Sequence, residues 1–391
     1  MRQVVIASAC RTPIGSFQGT LSTLAAPRLG AIAIKEAVKR ARISADQVDE
    51  VFMGCVLTAG VGQAPARQAA IYGGLPDTTP CTTLNKVCGS GLKSVMLGAL
   101  TIAAGEAEIV AAGGMESMSN APYLLDKART GYRMGDGKLI DSMIRDGLWD
   151  VYNDYHMGSA AELCARECHI PREAQDEFAV TSYKRALDAI EKGFFKDEIV
   201  PVTIESKDGT SVLVERDEEP GKVKFEKIRQ LRPAFEKNGT VTAANASKLN
   251  DGAAAIILMS EEKAKAIGIT PLAKIVSQAS AAQAPEWFTT APATVIQKLF
   301  KKTGFQKDDI DLFEINEAFS VVSLAVKQLL DLDLEKVDVC GGAVALGHPI
   351  GASGTRILTT LVHSMRRKNV HRGLAAICIG GGEAAGLIIE R

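Results

Sequence analysis

Short apolar runs alternate along this chain with longer segments in which apolar positions recur every three or four residues. These are the signatures of buried strands and amphipathic helices. Residues 3–9 predict a strand, and 24–41 predict a helix carrying Leu24, Leu29, Ile32, Ile34 and Val38. Val48 to Met53 predicts a strand, and 64–73 a helix. Leu92, Val95, Met96, Ala99, Leu100 and Ile102 predict a helix that Gly105 stops, and Glu108 to Ala112 a buried strand ending in Gly113-Gly114-Met115-Glu116. After Asn250-Asp251-Gly252 the alternation returns. Strands are expected at 253–259, 272–276, 310–315, 337–340, 374–379 and 385–389, with helices at 292–302, 319–330 and 355–366.

Between about residues 120 and 247 the pattern changes. Aromatic residues and charge replace the regular alternation, with a charged stretch at 207–237. One helix is expected at 171–193, starting at Pro171 and placing Phe178, Tyr183, Leu187 and Ile190 on one face. This segment reads as an insertion of long loops covering a site. The flanking parts repeat each other. Gly89-Ser90-Gly91, helix, strand, Gly113-Gly114-Met115-Glu116 parallels Ala352-Ser353-Gly354, helix, strand, Gly380-Gly381-Gly382-Glu383. Val48-Asp49-Glu50-Val51-Phe52 likewise resembles Ile310-Asp311-Leu312-Phe313-Glu314. The expectation is an α/β protein of two similar halves related by a pseudo-two-fold, with the site where their loops meet.

Composition narrows the function. The chain has 391 residues, 46% hydrophobic and 23% charged, as in globular enzymes. A net charge of −1 without a long basic run gives nucleic acid no footprint. No apolar stretch reads as a membrane span, and the N-terminus is no signal peptide. Eight cysteines lack framework spacing and read as reduced thiols, which points to the cytoplasm.

Cys88 stands between a polar lead-in and a helix start, flanked by Gly89 and Gly91. Such an elbow suits a nucleophile, and the helix N-terminus favours a thiolate. It equally suits a small buried hydrophobe beside a tight turn, and the local signal leaves both open. Of five histidines, His348 lies in the loop Gly347-His348-Pro349-Ile350-Gly351, an unusual place for a core residue. Cys378 ends a buried strand before Gly380-Gly381-Gly382, whose bare N–H groups suit an oxyanion hole.

Val87-Cys88-Gly89-Ser90-Gly91, Asn316-Glu317-Ala318-Phe319, Gly347-His348-Pro349-Ile350-Gly351 and Cys378-Ile379-Gly380-Gly381-Gly382 occur in the order of the thiolases. The resemblance spans essentially the whole chain. Tyr155-His156-Met157-Gly158 and Thr240-Val241-Thr242-Ala243-Ala244-Asn245-Ala246-Ser247 resemble the acetyl-CoA acetyltransferase branch. It implies a thiolase-like α/β fold in αβαβα layers: an N-terminal half of 1–120 and 248–270, an inserted loop domain of 121–247 and a C-terminal half of 271–391. It implies Claisen condensation of two acetyl-CoA to acetoacetyl-CoA and CoA, with a degradative 3-ketoacyl-CoA thiolase of broader chain length as the alternative. Cys88 is then the acetylated nucleophile, His348 a base and oxyanion donor, and Cys378 the acid/base. Asn316 positions a water, and Gly380 is a backbone oxyanion donor. Lys222, Lys227, Ser247, His156, Met157, Phe235, Ala243 and Phe319 are implied contacts of the CoA thioester. Tyr183, Ala243, Ala244, Ala246 and Val344 match a potassium site of some relatives. No tightly bound cofactor is implied, and a homotetramer is, through a loop near residues 123–142.

Overall fold

The computed structural model describes residues 2–205 and 209–391. Met1 and residues 207 and 208 of the charged stretch lie outside them. The strands are β1 (Val4–Arg11), β2 (Glu50–Gly54), β3 (Cys81–Leu84), β4 (Ile109–Ser117), β5 (Asn250–Ser260), β6 (Ala273–Ala282), β7 (Leu312–Ile315), β8 (Arg372–Ile379) and β9 (Glu383–Glu390). Their order is β7-β8-β9-β6-β1-β5-β4-β2-β3. Each half repeats one pairing scheme. In the first, β2 runs parallel to β4, β4 antiparallel to β5, and β5 antiparallel to β1. In the second, β7 runs parallel to β8, β8 antiparallel to β9, and β9 antiparallel to β6. Within the sheet, Val5–Lys274 and Ile6–Ala273 join the halves, between β1 and β6.

The longer helices are α1 (Ala26–Arg40), α2 (Pro65–Tyr72), α3 (Ser90–Ala104), α4 (Met157–Glu167), α5 (Arg172–Glu191), α6 (Ala291–Thr303), α7 (Ser320–Leu330) and α8 (Ile350–Lys368). Strand alternation sorts them into layers, because successive side chains leave opposite faces. In β5, Ala253, Ala255, Ile257 and Met259 pack towards α1 and α2. Ile256 and Leu258 face inward with Leu92, Val95 and Ile102 of α3 and Ile357 and Leu361 of α8. In β9, Leu387 and Ile389 join that inner layer, while Ala384 and Ile388 meet α6. The layers are therefore α1/α2, sheet, α3/α8, sheet, α6/α7. Glycine lets the inner pair come close: a Cβ at Gly91 would meet Thr355 Oγ1 at 2.7 Å, and one at Gly354 would overlap the Leu92 backbone.

Several sequence expectations are corrected. Val87–Ala104 is long and apolar enough to cross a membrane by length and composition. It is the inner helix between the sheets, buried through Leu92, Val95, Met96, Ala99 and Ile102. The expected strand 337–340 reduces to one bridge between Phe313 and Val337. Asp338 turns the chain away at φ 47, and its carboxylate accepts from Ile315 N–H at 2.9 Å. β4 does not end at Ala112 but runs on through Gly113 and Gly114. α8 begins at Ile350, so Gly351 and Gly354 are helical rather than loop. Of the four apolar residues assigned to one face of α5, only Tyr183 is buried. Gln175, Asp176, Ala179, Ser182, Ala186 and Ala189 complete that face, because small and hydrogen-bonded side chains allow close packing.

Candidate active site

Cys88 lies on a strained turn. Val87 has φ 44, a conformation a β-branched residue rarely adopts, and Ser90 accepts the chain by receiving Lys86 N–H at 2.8 Å. A Cβ at Gly89 would overlap Ile379 of β8. The first half's elbow is thus pressed against the end of the second half's strand. There Gly380 donates its backbone N–H to the Cys88 sulfur, as does the N–H of Cys88 itself. Cys378 sits behind, fully buried with Met157, Ala318 and Phe319. Burial pushes the Cys88 thiol up to about 11 against the N–H groups that lower it. Burial and the neighbouring Cys88 hold Cys378 far above the ordinary thiol range. The thiolate expected from the helix N-terminus is therefore not the resting form, because desolvation outweighs the nearby N–H dipoles.

His348 is held from two sides. Its N–H donates to Asn250 Oδ1 at 2.9 Å, and Asn250 Nδ2 donates to Gly15 O at 2.8 Å. Its Nδ1 lies 2.6 Å from Ser353 Oγ, whose hydroxyl donates to Pro349 O at 2.9 Å. That hydroxyl has one hydrogen, so Ser353 accepts from Nδ1–H and Nε2 keeps its lone pair. Nε2 is buried and has no hydrogen-bond partner among the described residues, nor do both amide atoms of Asn316. Desolvation, reinforced by Arg356, lowers His348 to about 3, so the imidazole is neutral. Glu116 fixes the loop from below, accepting from Val56, Leu57 and Gly351 N–H at 3.1, 3.1 and 2.9 Å. Burial raises it to about 7.

Cys88, His348 and Gly380 open into a cavity of about 560 Å³. Lys222, Ser247, His156, Met157, Phe235, Ala243 and Phe319 line it too. His156 caps α4, its Nδ1 accepting from Gly158 N–H at 3.0 Å, and stacks on Phe235 at 4.8 Å. Lys222 donates to Ser16 Oγ at the rim. Lys227 is exposed on the short helix Phe225–Ile228 and does not line the cavity, so the structure does not bring it to the others. Asn316 and Cys378 are buried in the wall and do not line it either.

Sequence reasoning missed Asn250, Ser353 and Glu116, which act through hydrogen bonds between distant segments. It also missed the apolar wall of Met143, Ile144, Leu148 and Phe288, and Lys248. Lys248 Nζ donates to Ala246 O at 2.6 Å and Val344 O at 3.2 Å, and lies 5.6 Å from the Tyr183 ring centroid. Three of the residues matched to potassium, Tyr183, Ala246 and Val344, thus gather around an ammonium of the chain itself. Two of their carbonyls are occupied by it, so the set does not fit a second, free cation.

Comparison with known proteins agrees with this geometry. Residues 4–262 match the thiolase N-terminal domain and 269–391 the thiolase C-terminal domain. The chain is 54% identical to the acetyl-CoA acetyltransferase of Cupriavidus necator over 392 residues, all of both chains. It is 54% identical to a probable acetyl-CoA acetyltransferase of Dictyostelium discoideum over 391 residues, all of this chain and 94% of the relative. The crystal structure of the Bacillus anthracis acetyl-CoA acetyltransferase superposes with a TM-score of 0.98 at 43% identity, covering 100% of this chain and 99% of that one. Matched over both domains and nearly its full length, the chain belongs to the thiolase family.

Proposed function

We propose that this protein is an acetyl-CoA C-acetyltransferase, condensing two acetyl-CoA reversibly into acetoacetyl-CoA and CoA. The observation that carries it is the meeting of a Cys88 thiol, a buried Cys378 and a neutral His348 with a free Nε2 around the Gly380 N–H. A single-cysteine hydrolase has no need of the second thiol. His348 Nε2 takes the Cys88 proton as sulfur attacks the first thioester. The tetrahedral oxyanion faces the N–H groups of Cys88 and Gly380. Fixed donors aimed at developing charge are worth several kcal/mol in a dry site. The CoA thiolate leaves and takes the Cys378 proton. The Cys378 thiolate then removes an α-proton from a second acetyl-CoA, whose enolate oxygen is met by His348 and a water held by Asn316. The enolate carbon attacks the acetyl group, and the expelled Cys88 thiolate recovers its proton from His348. Atoms balance over the cycle, and thiolysis is its reverse.

Lys222 at the rim suits the CoA phosphates, Ser247 and Ala243 the pantetheine, and His156, Met157, Phe235 and Phe319 the acyl end. Met157 closing that end favours short chains. The names of the relatives also weigh against the broader 3-ketoacyl-CoA thiolase. Assembly as a homotetramer is supported by the hairpin of Tyr123–Leu124 with Ile140–Asp141, whose loop exposes Leu125, Met134 and Leu139. A cytoplasmic location is supported by eight free cysteines.

The test is intact-protein mass after incubation with acetyl-CoA. Wild type gains one acetyl group and Cys88→Ala gains none. A folded, reduced wild type without an adduct would overturn the reading.

A further inference from the structure

The Lys248 ammonium sits in surroundings built for a cation. Two backbone carbonyls converge on it, at 2.6 Å from Ala246 and 3.2 Å from Val344, and the Tyr183 ring lies at 5.6 Å. Burial lowers this ammonium to about 8, against the nearby carboxylates of Glu219 and Glu317, which favour its charged form, so it carries its proton at neutral pH. The two carbonyls belong to different walls. Ala246 precedes Ser247, whose N–H donates to Ala318 O at 3.0 Å beside the cavity. Val344 lies in the short helix Ala343–Leu346 that leads into Gly347 and His348, and its N–H donates to Glu317 Oε2 at 3.0 Å. Glu317 also accepts from Ser182 of α5 at 2.7 Å. Lys248 therefore ties the thioester-facing loop to the segment that delivers the catalytic histidine.

We propose that Lys248 is a tethered monovalent cation, a positioning residue whose ammonium takes the place of a free potassium ion between the Ala246 and Val344 carbonyls. Charge repulsion and occupied carbonyls exclude a second cation from the same spot. A free ion must be gathered from solution, whereas Lys248 arrives with the Ala246–Leu249 segment and is always present. The side chain also lines the cavity, so its charge at neutral pH shapes thioester binding. The activity readout rests on the acetyltransferase reading, and the stability readout does not.

The experiment compares wild type, Lys248→Ala and Lys248→Met in choline chloride and in potassium chloride of equal ionic strength. Lys248→Met keeps a long apolar stem and decides the question where Lys248→Ala fails to fold. Melting temperature and thiolysis kinetics with acetoacetyl-CoA are both read. Wild type is expected to be indifferent to potassium in both. In choline, the variants should raise KM about tenfold or more, as loss of charged hydrogen bonds does, with a smaller change in kcat. Potassium or ammonium chloride should restore KM and raise the variants' melting temperature saturably. Severalfold activation of wild type by potassium would overturn the proposal. So would unchanged variants, or a loss that no small cation restores. Were no protein to turn over acetoacetyl-CoA, the acetyltransferase reading would fail, while the potassium-dependent melting of the variants would still decide the role of Lys248.

Discussion

The two halves put the same glycine-rich ending to opposite uses. In the first, Gly113-Gly114-Met115-Glu116 stays inside β4, extended and buried. In the second, Gly381 and Gly382 have φ 86 and 81 and turn the chain from β8 directly into β9. The antiparallel partner of β4 is β5, so the insertion occupies the connection that is a tight turn in the other half. A Cβ at Gly114 would overlap the Gly351 carbonyl of α8, whereas one at Gly381 would meet nothing within 4 Å. The first glycine exists for close packing and the second for backbone conformation. The acids that follow diverge too. Glu116 is buried and holds three backbone N–H groups, while Glu383 makes a half-exposed ion pair with Lys86 beside the elbow. One half has become a rigid support, and the other presents the Gly380 N–H to the Cys88 thiol carried by the first.

Removing the second half's buried thiol, the acid/base of the proposed cycle, should have the largest effect. Cys378→Ala is expected to lose about 10²–10⁴-fold in condensation and thiolysis while Cys88 still takes up an acetyl group, read by intact mass. A variant that condenses at the wild-type rate would break the division of labour. The pH dependence of Cys88 comes next. Its thiol is raised to about 11, and the thiolate fraction rises with pH below that value. Alkylation should therefore climb about a hundredfold from pH 8 to pH 10, against about fourfold for an ordinary thiol of pKa 8.5. The histidine does not limit this rise, being neutral above about 3. A plateau by pH 9 would mean that the N–H groups outweigh burial. Smallest are the glycine replacements, read by urea unfolding. Gly114→Ala should cost about 1–3 kcal/mol or more by overpacking, and Gly381→Ala about 1–2 kcal/mol by left-handed strain. A Gly114→Ala variant as stable as wild type would erase the packing role, and an unaffected Gly381→Ala the conformational one.

Much of this was legible along the chain. The alternation fixed the positions of most strands and helices, because burial selects periods of two or 3.6 wherever an element lies against a core. It failed at 337–340, where one apolar residue pairs and Asp338 then diverts the edge, and in α5, whose buried face is made of small and hydrogen-bonded residues. Cys88, His348, Asn316 and Cys378 stood out through their motifs. Asn250, Ser353 and Glu116 did not, since each acts on a segment it reaches only in space.

The sequence by itself determined the two-fold repeat, the elbow at Cys88, the loop of His348 and the family motifs, since all of these are local or periodic. Tertiary structure alone decided which glycines turn and which pack, that the thiols rest protonated, and that the Lys248 ammonium fills the carbonyl pair. Those outcomes depend on desolvation and on contacts between residues far apart in the chain, and neither is written in the order of residues around any one of them.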